Sequence, residues 1–170
     1  MKQKYWLLMV VVFILFSSCS DDEPSASALS IRSVNEREGI DSLWCSGDNI
    51  EWYNGTTGRI KFKARPPISY STHWLYTSNL VVYFNDEELI SFIFTTFTSS
   101  IGYSLPCIVS ETDGLYIREC YPFCDWVPGK RPEDAEWDDF KVLLDENWKA
   151  IEPEWDIFIK QLKKEGRYRE

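Results

Sequence analysis

The sequence is poor in histidine and lacks the motifs that mark many catalytic sites. Its 170 residues contain one histidine. It has no glycine-rich phosphate loop, no dinucleotide fingerprint and no G-x-S-x-G turn. His73 has no activated nucleophile in a recognisable setting beside it, so a surface or loop position is the simpler interpretation. We therefore expect no catalytic residue and no cofactor.

The sequence also lacks a hydrophobic run long enough to cross a membrane. Its longest apolar run covers residues 5–16, which is 12 residues, whereas a membrane-spanning helix needs roughly 20. Two lysines precede this run and two small serines follow it, as in a secretory signal peptide. We therefore predict a signal peptide over residues 1–18.

The residues around the end of this segment carry a resemblance. The tetrapeptide Phe-Ser-Ser-Cys that ends at Cys19 resembles a lipobox, in which the cysteine is acylated and becomes the first residue of the mature chain. The next four residues are Ser20, Asp21, Asp22 and Glu23. A serine and acids at this place resemble the surface-export signal of Bacteroidota lipoproteins. The resemblance implies a lipid anchor in the outer membrane and display on the cell surface, with a periplasm-facing position or a plain secretory peptide as the alternatives.

Charge and length limit what the mature chain can be. Removal of residues 1–18 leaves 152 residues and takes away two lysines, so the net charge changes from −9 to −11. This acidic excess repels phosphate backbones, and nucleic acid is therefore not an expected partner. We predict a flexible tether over residues 19–29 and a single globular domain over residues 30–170.

Four cysteines follow the predicted signal peptide and Cys19: Cys45, Cys107, Cys120 and Cys124. An even number in an exported chain indicates two disulfides. A two-residue turn at Asp113-Gly114 places Cys107 opposite Cys120, at a separation that a disulfide tolerates. We predict Cys107–Cys120 with Cys45–Cys124, and the alternative is Cys120–Cys124 with Cys45–Cys107. The C-x3-C spacing without a nearby histidine is a weak zinc signal, so no metal site is predicted.

The pattern of apolar and polar residues in the middle of the chain predicts hairpins. Residues 50–53 and 59–63 alternate between apolar and polar side chains around a loop that contains glycine. Residues 80–84 and 89–97 are apolar at successive positions, which is typical of strands covered on both faces. Shorter strands are expected at 31–34, 105–112 and 115–120, whereas 35–48 is charged and turn-rich.

Near the C-terminal end, apolar residues recur every three or four positions and predict a helix with one apolar stripe. The stripe consists of Trp137, Phe140, Leu144, Trp148, Ile151, Trp155, Phe158 and Leu162. Gly166 is the expected end of the helix. Because Pro153 lacks an N–H group to donate, we expect the helix to break or bend there. The predicted fold class is α+β, an antiparallel β-sheet of hairpins covered by a C-terminal helix that is broken or kinked near Pro153.

Two further sites are predicted from local residue types. An aromatic patch beside the cysteines is a candidate contact surface for a sugar or a protein, with ordinary core packing as the alternative. Its members are Tyr103, Tyr121, Phe123 and Trp126. The tripeptide Asp-Ser-Leu at Ser42 resembles an O-glycosylation acceptor of the same bacterial group, and an ordinary turn is the alternative there.

Taken together, these features predict a membrane-anchored lipoprotein that binds a glycan or a protein without catalysing a reaction. A small extracytoplasmic hydrolase or hydrolase accessory protein is one alternative, because 27 acidic residues offer many carboxylate pairs. A structural subunit of an envelope assembly is another alternative, and a large exposed apolar patch would favour it. The membrane is the expected partner of the lipid anchor.

Overall fold

The computed structural model describes residues 27–64, 79–99, 101–121, 127–130 and 138–170. These residues form one nine-stranded sheet and one long helix, so the α+β class is confirmed. The predicted signal peptide, the lipidation and export motifs, most of the tether and His73 lie outside the described residues. No helix within the described part of the chain is long and apolar enough to cross a membrane.

The strands are named in chain order. They are β1 (Leu29–Asn35), β2 (Ile40–Ser46), β3 (Ile50–Asn54), β4 (Arg59–Phe62), β5 (Asn79–Phe84), β6 (Glu87–Thr96), β7 (Cys107–Ser110), β8 (Leu115–Arg118) and β9 (Tyr168–Arg169). Their order in the sheet is β2-β1-β5-β6-β7-β8-β4-β3-β9. The pairs β6–β7 and β3–β9 are parallel and all other neighbours are antiparallel. The sheet is therefore mixed, whereas the sequence predicted an antiparallel one.

The sheet is strongly curled. The ring of Trp44 in β2 packs edge-on against the ring of Phe62 in β4, with 5.6 Å between the ring centroids, although five strands separate β2 from β4 in the sheet order. A short 3-10 turn, Gly47–Asn49, leads directly from β2 into β3. The two ends of the sheet therefore approach each other.

The turn between β5 and β6 shows why this hairpin is tight. Asn85 and Asp86 have φ values of 53° and 65°, as the two central residues of a type I′ turn require, and asparagine and aspartate tolerate this region better than most residues. The strand β6 consequently begins at Glu87, two residues earlier than the sequence predicted.

The hairpin between β7 and β8 has a different register from the predicted one. Neither Asp113 nor Gly114 has a positive φ, so a type I′ turn does not form there. Instead, the Glu111 N–H donates to the Gly114 carbonyl at 2.8 Å, and the loop has four residues. This longer loop moves the pairing by two residues, so that Cys107 lies opposite Arg118 and not opposite Cys120.

The predicted disulfide pairing is wrong for the same reason. Cys45 and Cys107 are both buried free thiols, which excludes Cys107–Cys120, Cys45–Cys124 and also Cys45–Cys107. Cys120 is disulfide-bonded, and its partner lies outside the described residues, as Cys124 does. Burial raises the pKa of the Cys107 thiol to about 12, so this thiol stays protonated and unreactive.

The helix, α1 (Asp138–Lys164), covers one face of the sheet. Its side chains Leu144, Trp155, Phe158 and Leu162 are buried, as the predicted stripe requires, and Trp148 and Ile151 are partly buried. Trp137 and the side chain of Phe140 lie outside the described residues. The helix runs without interruption through Pro153, so the predicted break is absent.

The helix ends where the sequence predicted. Gly166 has a φ of 69°, its N–H donates to the Lys163 carbonyl at 3.1 Å, and the Arg167 N–H donates to the Leu162 carbonyl at 2.8 Å. This pair of bonds is a Schellman motif, which favours glycine because of the positive φ. The chain then turns back into β9 beside β3.

The core lies between the sheet and the helix. Tyr53 of β3 is fully buried and its ring contacts the rings of Trp155, Phe158 and Tyr168, with centroid distances between 5.9 and 6.4 Å. Phe92 of β6, which three strands separate from β3 in the sheet order, contacts the same Trp155 with 6.5 Å between the ring centroids. Buried aromatic rings therefore supply much of the apolar surface of this core.

Candidate functional site

The outer face of the sheet, opposite the helix, contains a cleft. In β1 the residues Leu29, Ile31 and Ser33 are buried on the helix side, so Val34 points outward, and it pairs with Asn79 of β5. Val81 of β5 likewise faces outward and pairs with Ser91 of β6. These four residues belong to the lining of a cleft of about 440 Å³.

The turn between β1 and β2 adds one wall of the cleft. Asn35 Oδ1 accepts hydrogen bonds from the backbone N–H groups of Arg37 at 3.1 Å and Glu38 at 3.2 Å, which is an Asx turn that fixes the backbone there. This turn places Glu36, Arg37 and Glu38 along the cleft, and Glu88 of β6 lines it as well. We call Glu36, Arg37, Glu38 and Glu88 the cleft rim.

Apart from Asn35, which fixes the turn, the polar side chains of the cleft do not hold the protein together. Within the described part of the chain, six lining side chains form no hydrogen bond and no ion pair: Glu36, Arg37, Glu38, Asn79, Glu88 and Ser91. All six residues are exposed. The rim carries three carboxylates and one guanidinium, a formal charge of −2. The cleft can therefore accept and donate hydrogen bonds and attract a cation.

A second polar cluster joins the two ends of the domain. The Ser27 N–H donates to both carboxylate oxygens of Asp48, at 3.1 and 3.2 Å, and its hydroxyl donates to Glu165 at 2.9 Å. Arg167 forms ion pairs with Asp48 at 2.9 Å and Glu165 at 3.1 Å, and it also donates to the Gly47 carbonyl. We call Ser27, Asp48, Glu165 and Arg167 the terminal clasp.

The clasp lowers the pKa of one of its carboxylates, that of Asp48. The hydrogen bond from Arg167, together with that from the Ser27 backbone, lowers the pKa of Asp48. Because Ser27 is held here and Leu29 is buried in β1, the last residues of the predicted tether belong to the body of the domain.

The predicted aromatic patch is only partly described. Tyr103 and Tyr121 do lie together, because they form an isolated antiparallel bridge with backbone hydrogen bonds of 2.5 and 3.0 Å. Both are partly buried, and burial raises the pKa of Tyr103. Phe123 and Trp126 lie outside the described residues.

Ser42 is accessible. It lies in the edge strand β2, between Asp41 and Leu43, and all three residues are exposed. Its glycosylation stays a prediction. The exposed position is what a modifying enzyme requires.

Large exposed apolar side chains also occur away from the cleft. They are Leu43, Phe97, Ile101, Leu105, Val142, Leu143 and Ile157. Single exposed apolar side chains are ordinary on soluble domains. Among the residues that the structure describes, no three histidine, cysteine, aspartate or glutamate side chains come together as a metal site.

The sequence interpretation missed the cleft. Its lining comes from three strands and one turn, and none of these residues forms a motif along the chain. The only available signal was the presence of Asn79 and Ser91 within or beside otherwise apolar segments. Comparison of the chain with protein-family models, with curated proteins and with solved structures finds no match.

Proposed function

We propose that the protein is a lipid-anchored lipoprotein of the cell surface that binds a glycan in the outer cleft without catalysing a reaction. One observation carries the proposal, namely that six polar side chains around the cleft have no partner among the described residues. Polar groups that do not serve the fold are free to serve a ligand, and pockets with a few such groups above an apolar floor are typical binding sites.

The lining chemistry supports a glycan. Sugar rings present hydroxyl groups around their edges and C–H groups on their faces. The amide of Asn79 and the hydroxyl of Ser91 can each donate and accept hydrogen bonds, and the partly exposed Val34 offers apolar contact beside them, next to the nearly buried Val81. This combination suits a hydroxyl-rich ligand better than a purely apolar one.

The position of the cleft supports access from outside. The clasp lies at the start of β1, where the predicted tether leaves the domain. The turn that carries Glu36 and Glu38 lies at the other end of β1, six residues further along, which is about 20 Å in a strand. This end of the cleft is therefore the one farther from the point where the predicted tether joins the domain.

Anchoring and display are tested in cells of the source bacterium. Radiolabelled palmitate is expected to enter the protein, and a Cys19→Ala variant is expected to leave the membrane fraction. Replacement of Ser20, Asp21, Asp22 and Glu23 by alanine is expected to abolish labelling by a membrane-impermeant reagent in intact cells. Equal surface labelling of this variant would contradict surface export and favour the periplasm-facing alternative.

Binding is tested with a glycan array probed with the purified lipoprotein in detergent. We expect reproducible binding to a restricted set of glycans, no release of products from them, and loss of binding in a variant with Asn79→Ala and Ser91→Ala. Array binding that survives the double substitution would contradict the cleft as the site, and turnover of a bound glycan would favour the hydrolase alternative.

We also propose that the helix bends at Pro153, because the residue removes one backbone hydrogen bond and its ring crowds the preceding turn. Pro153 is exposed, so its side chain supplies no core packing that would explain its presence. A crystal structure of a Pro153→Ala variant is expected to show a straighter helix axis.

A further inference from the structure

We propose that the cleft binds an oligosaccharide that carries free amino groups. This inference rests on the proposed glycan-binding function and specifies its ligand. The starting observation is the cleft itself, a volume of about 440 Å³ in which apolar, neutral polar and charged side chains face the same space. The charged members decide which sugars fit best.

The carboxylates stand at both ends of the cleft. Glu36 and Glu38 lie in the turn beyond Val34, which pairs with Asn79. Glu88 pairs with Tyr83, four residues further along β5. Four residues of a strand span about 13 Å, so the acidic ends are too far apart for one sugar ring to contact both. The ligand that satisfies them is an oligosaccharide with cationic groups on different rings.

The groups between these ends are neutral. Asn79 pairs with Val34 on the side of the turn, and Ser91 pairs with Val81 on the side of Glu88. Hydroxyl groups of a sugar can exchange hydrogen bonds with Asn79 and Ser91, while ammonium groups can donate charge-assisted bonds to the glutamates. The rim has a formal charge of −2 and the whole chain −9, so the field around the cleft also attracts a cationic ligand.

The topology disfavours a basic peptide as the occupant. Extended peptides commonly bind by adding a strand to an open sheet edge. The cleft lies over β1, β5 and β6, and each of these strands is already paired on both sides. Side chains must therefore recognise the ligand, and the hydroxyl and ammonium groups of an amino sugar match the amide, hydroxyl and carboxylates that line the cleft.

The test uses isothermal titration calorimetry with the full lipoprotein in detergent. The probes are a β-1,4-linked glucosamine oligomer and the fully N-acetylated oligomer of the same length, which has the same rings but no charge. We expect the amino form to bind about tenfold more tightly at low salt, and this difference to shrink at high salt because the contacts are charged. Equal affinities for the two oligomers would overturn the inference.

Matched variants show whether the difference in affinity between the two oligomers comes from this cleft. Glu88→Gln keeps the size of the side chain and removes its charge, and it is expected to weaken binding of the amino oligomer about fivefold while leaving the acetylated one unchanged. Glu87→Gln is the control, because Glu87 is exposed in the same strand but does not line the cleft. Equal binding by both variants and the wild type would overturn the assignment to this cleft.

Other outcomes separate this inference from the proposed function. Binding of neutral glycans alone would leave the glycan-binding function intact and overturn only the amino-sugar specificity. Binding of neither oligomer, with an empty glycan array, would overturn both. Displacement of the amino oligomer by an equal concentration of tetralysine would identify a basic peptide as the occupant and overturn the saccharide class.

Discussion

In the terminal clasp, one arginine and two carboxylates connect the start of β1 with the end of the helix. In the cleft rim, one arginine and three carboxylates face an open volume and make no ion pair with any residue that the structure describes. The residue types are the same, but the clasp residues converge from three distant segments whereas most of the rim lies in one turn. In this domain the charged residues of the clasp join distant segments, whereas those of the cleft rim make no such contact and stay exposed.

The largest expected loss of stability comes from a steric clash. A Cβ at Gly47 would collide with the Leu29 carbonyl and the Ser27 hydroxyl, whereas a Cβ at Gly39, in the turn beside the cleft rim, would meet no atom within 4 Å. Gly47→Ala is expected to lower the free energy of unfolding by about 3 kcal/mol, since a backbone carbonyl must move. Gly39→Ala is expected to cost about 1 kcal/mol, because of its φ of 65° alone.

Urea unfolding followed by circular dichroism measures both values. Equal losses for Gly47→Ala and Gly39→Ala would show that the packing at the clasp has no more structural importance than the turn beside the cleft.

The next largest loss of stability is expected from the removal of a charge. Arg167→Met leaves Asp48 and Glu165 close together without their shared cation, and is expected to lower the free energy of unfolding by about 2 kcal/mol. The estimate is kept modest because the Asp48 side chain is 49% exposed and solvent screens it. Arg37→Met in the cleft rim is the matched control, with an expected change within about 0.5 kcal/mol. A comparable loss in both variants would contradict the distinction between the two regions.

The pH dependence of the clasp gives a smaller effect. Because Arg167 lowers the pKa of Asp48 below its ordinary value of 3.8, the folded state holds this proton less tightly than the unfolded state does. The resulting stability is fully present above the ordinary pKa and is lost as the pH falls through and below it. We expect the difference in urea midpoint between the wild type and Asp48→Asn to shrink between about pH 6 and about pH 3. A constant difference would contradict an ionised Asp48 in the clasp.

The smallest expected effect is on the stability of cleft variants. Glu36→Gln and Glu88→Gln remove charges that have no partner among the described residues, so the free energy of unfolding is expected to change by less than about 0.5 kcal/mol in each. Thermal unfolding of each variant beside the wild type measures this. A loss above about 1 kcal/mol would show that the rim contributes to the fold, and would remove the basis of the proposed binding site.

The spacing of residues within single segments of the chain predicted the helix and the strands β3 to β6. The spacing of Leu144, Trp155, Phe158 and Leu162 predicted the helix and the face that it buries, and Gly166 predicted its end. The strands β3 to β6 followed from alternating or β-branched residues. All of these signals are contained within one segment of the chain.

Features that depend on distant partners were not predictable. The strand β2 is an edge strand with mostly exposed side chains, and β9 has two residues that pair only with β3. The hairpin signal at Asp113-Gly114 was real, but the four-residue loop changed the register and with it the disulfide prediction. The cleft needs Val34, Asn79 and Ser91 to meet through strand pairing, which no single segment encodes.

The order of the elements along the chain has a consequence for biogenesis. The helix α1 follows the eight strands whose inner face it covers, so those strands have no apolar cover until residues 138–164 have been synthesised. Contacts of such long sequence separation form slowly. A nascent chain therefore exposes the apolar inner face of its strands until the helix has been made, and the core is completed only near the end of synthesis.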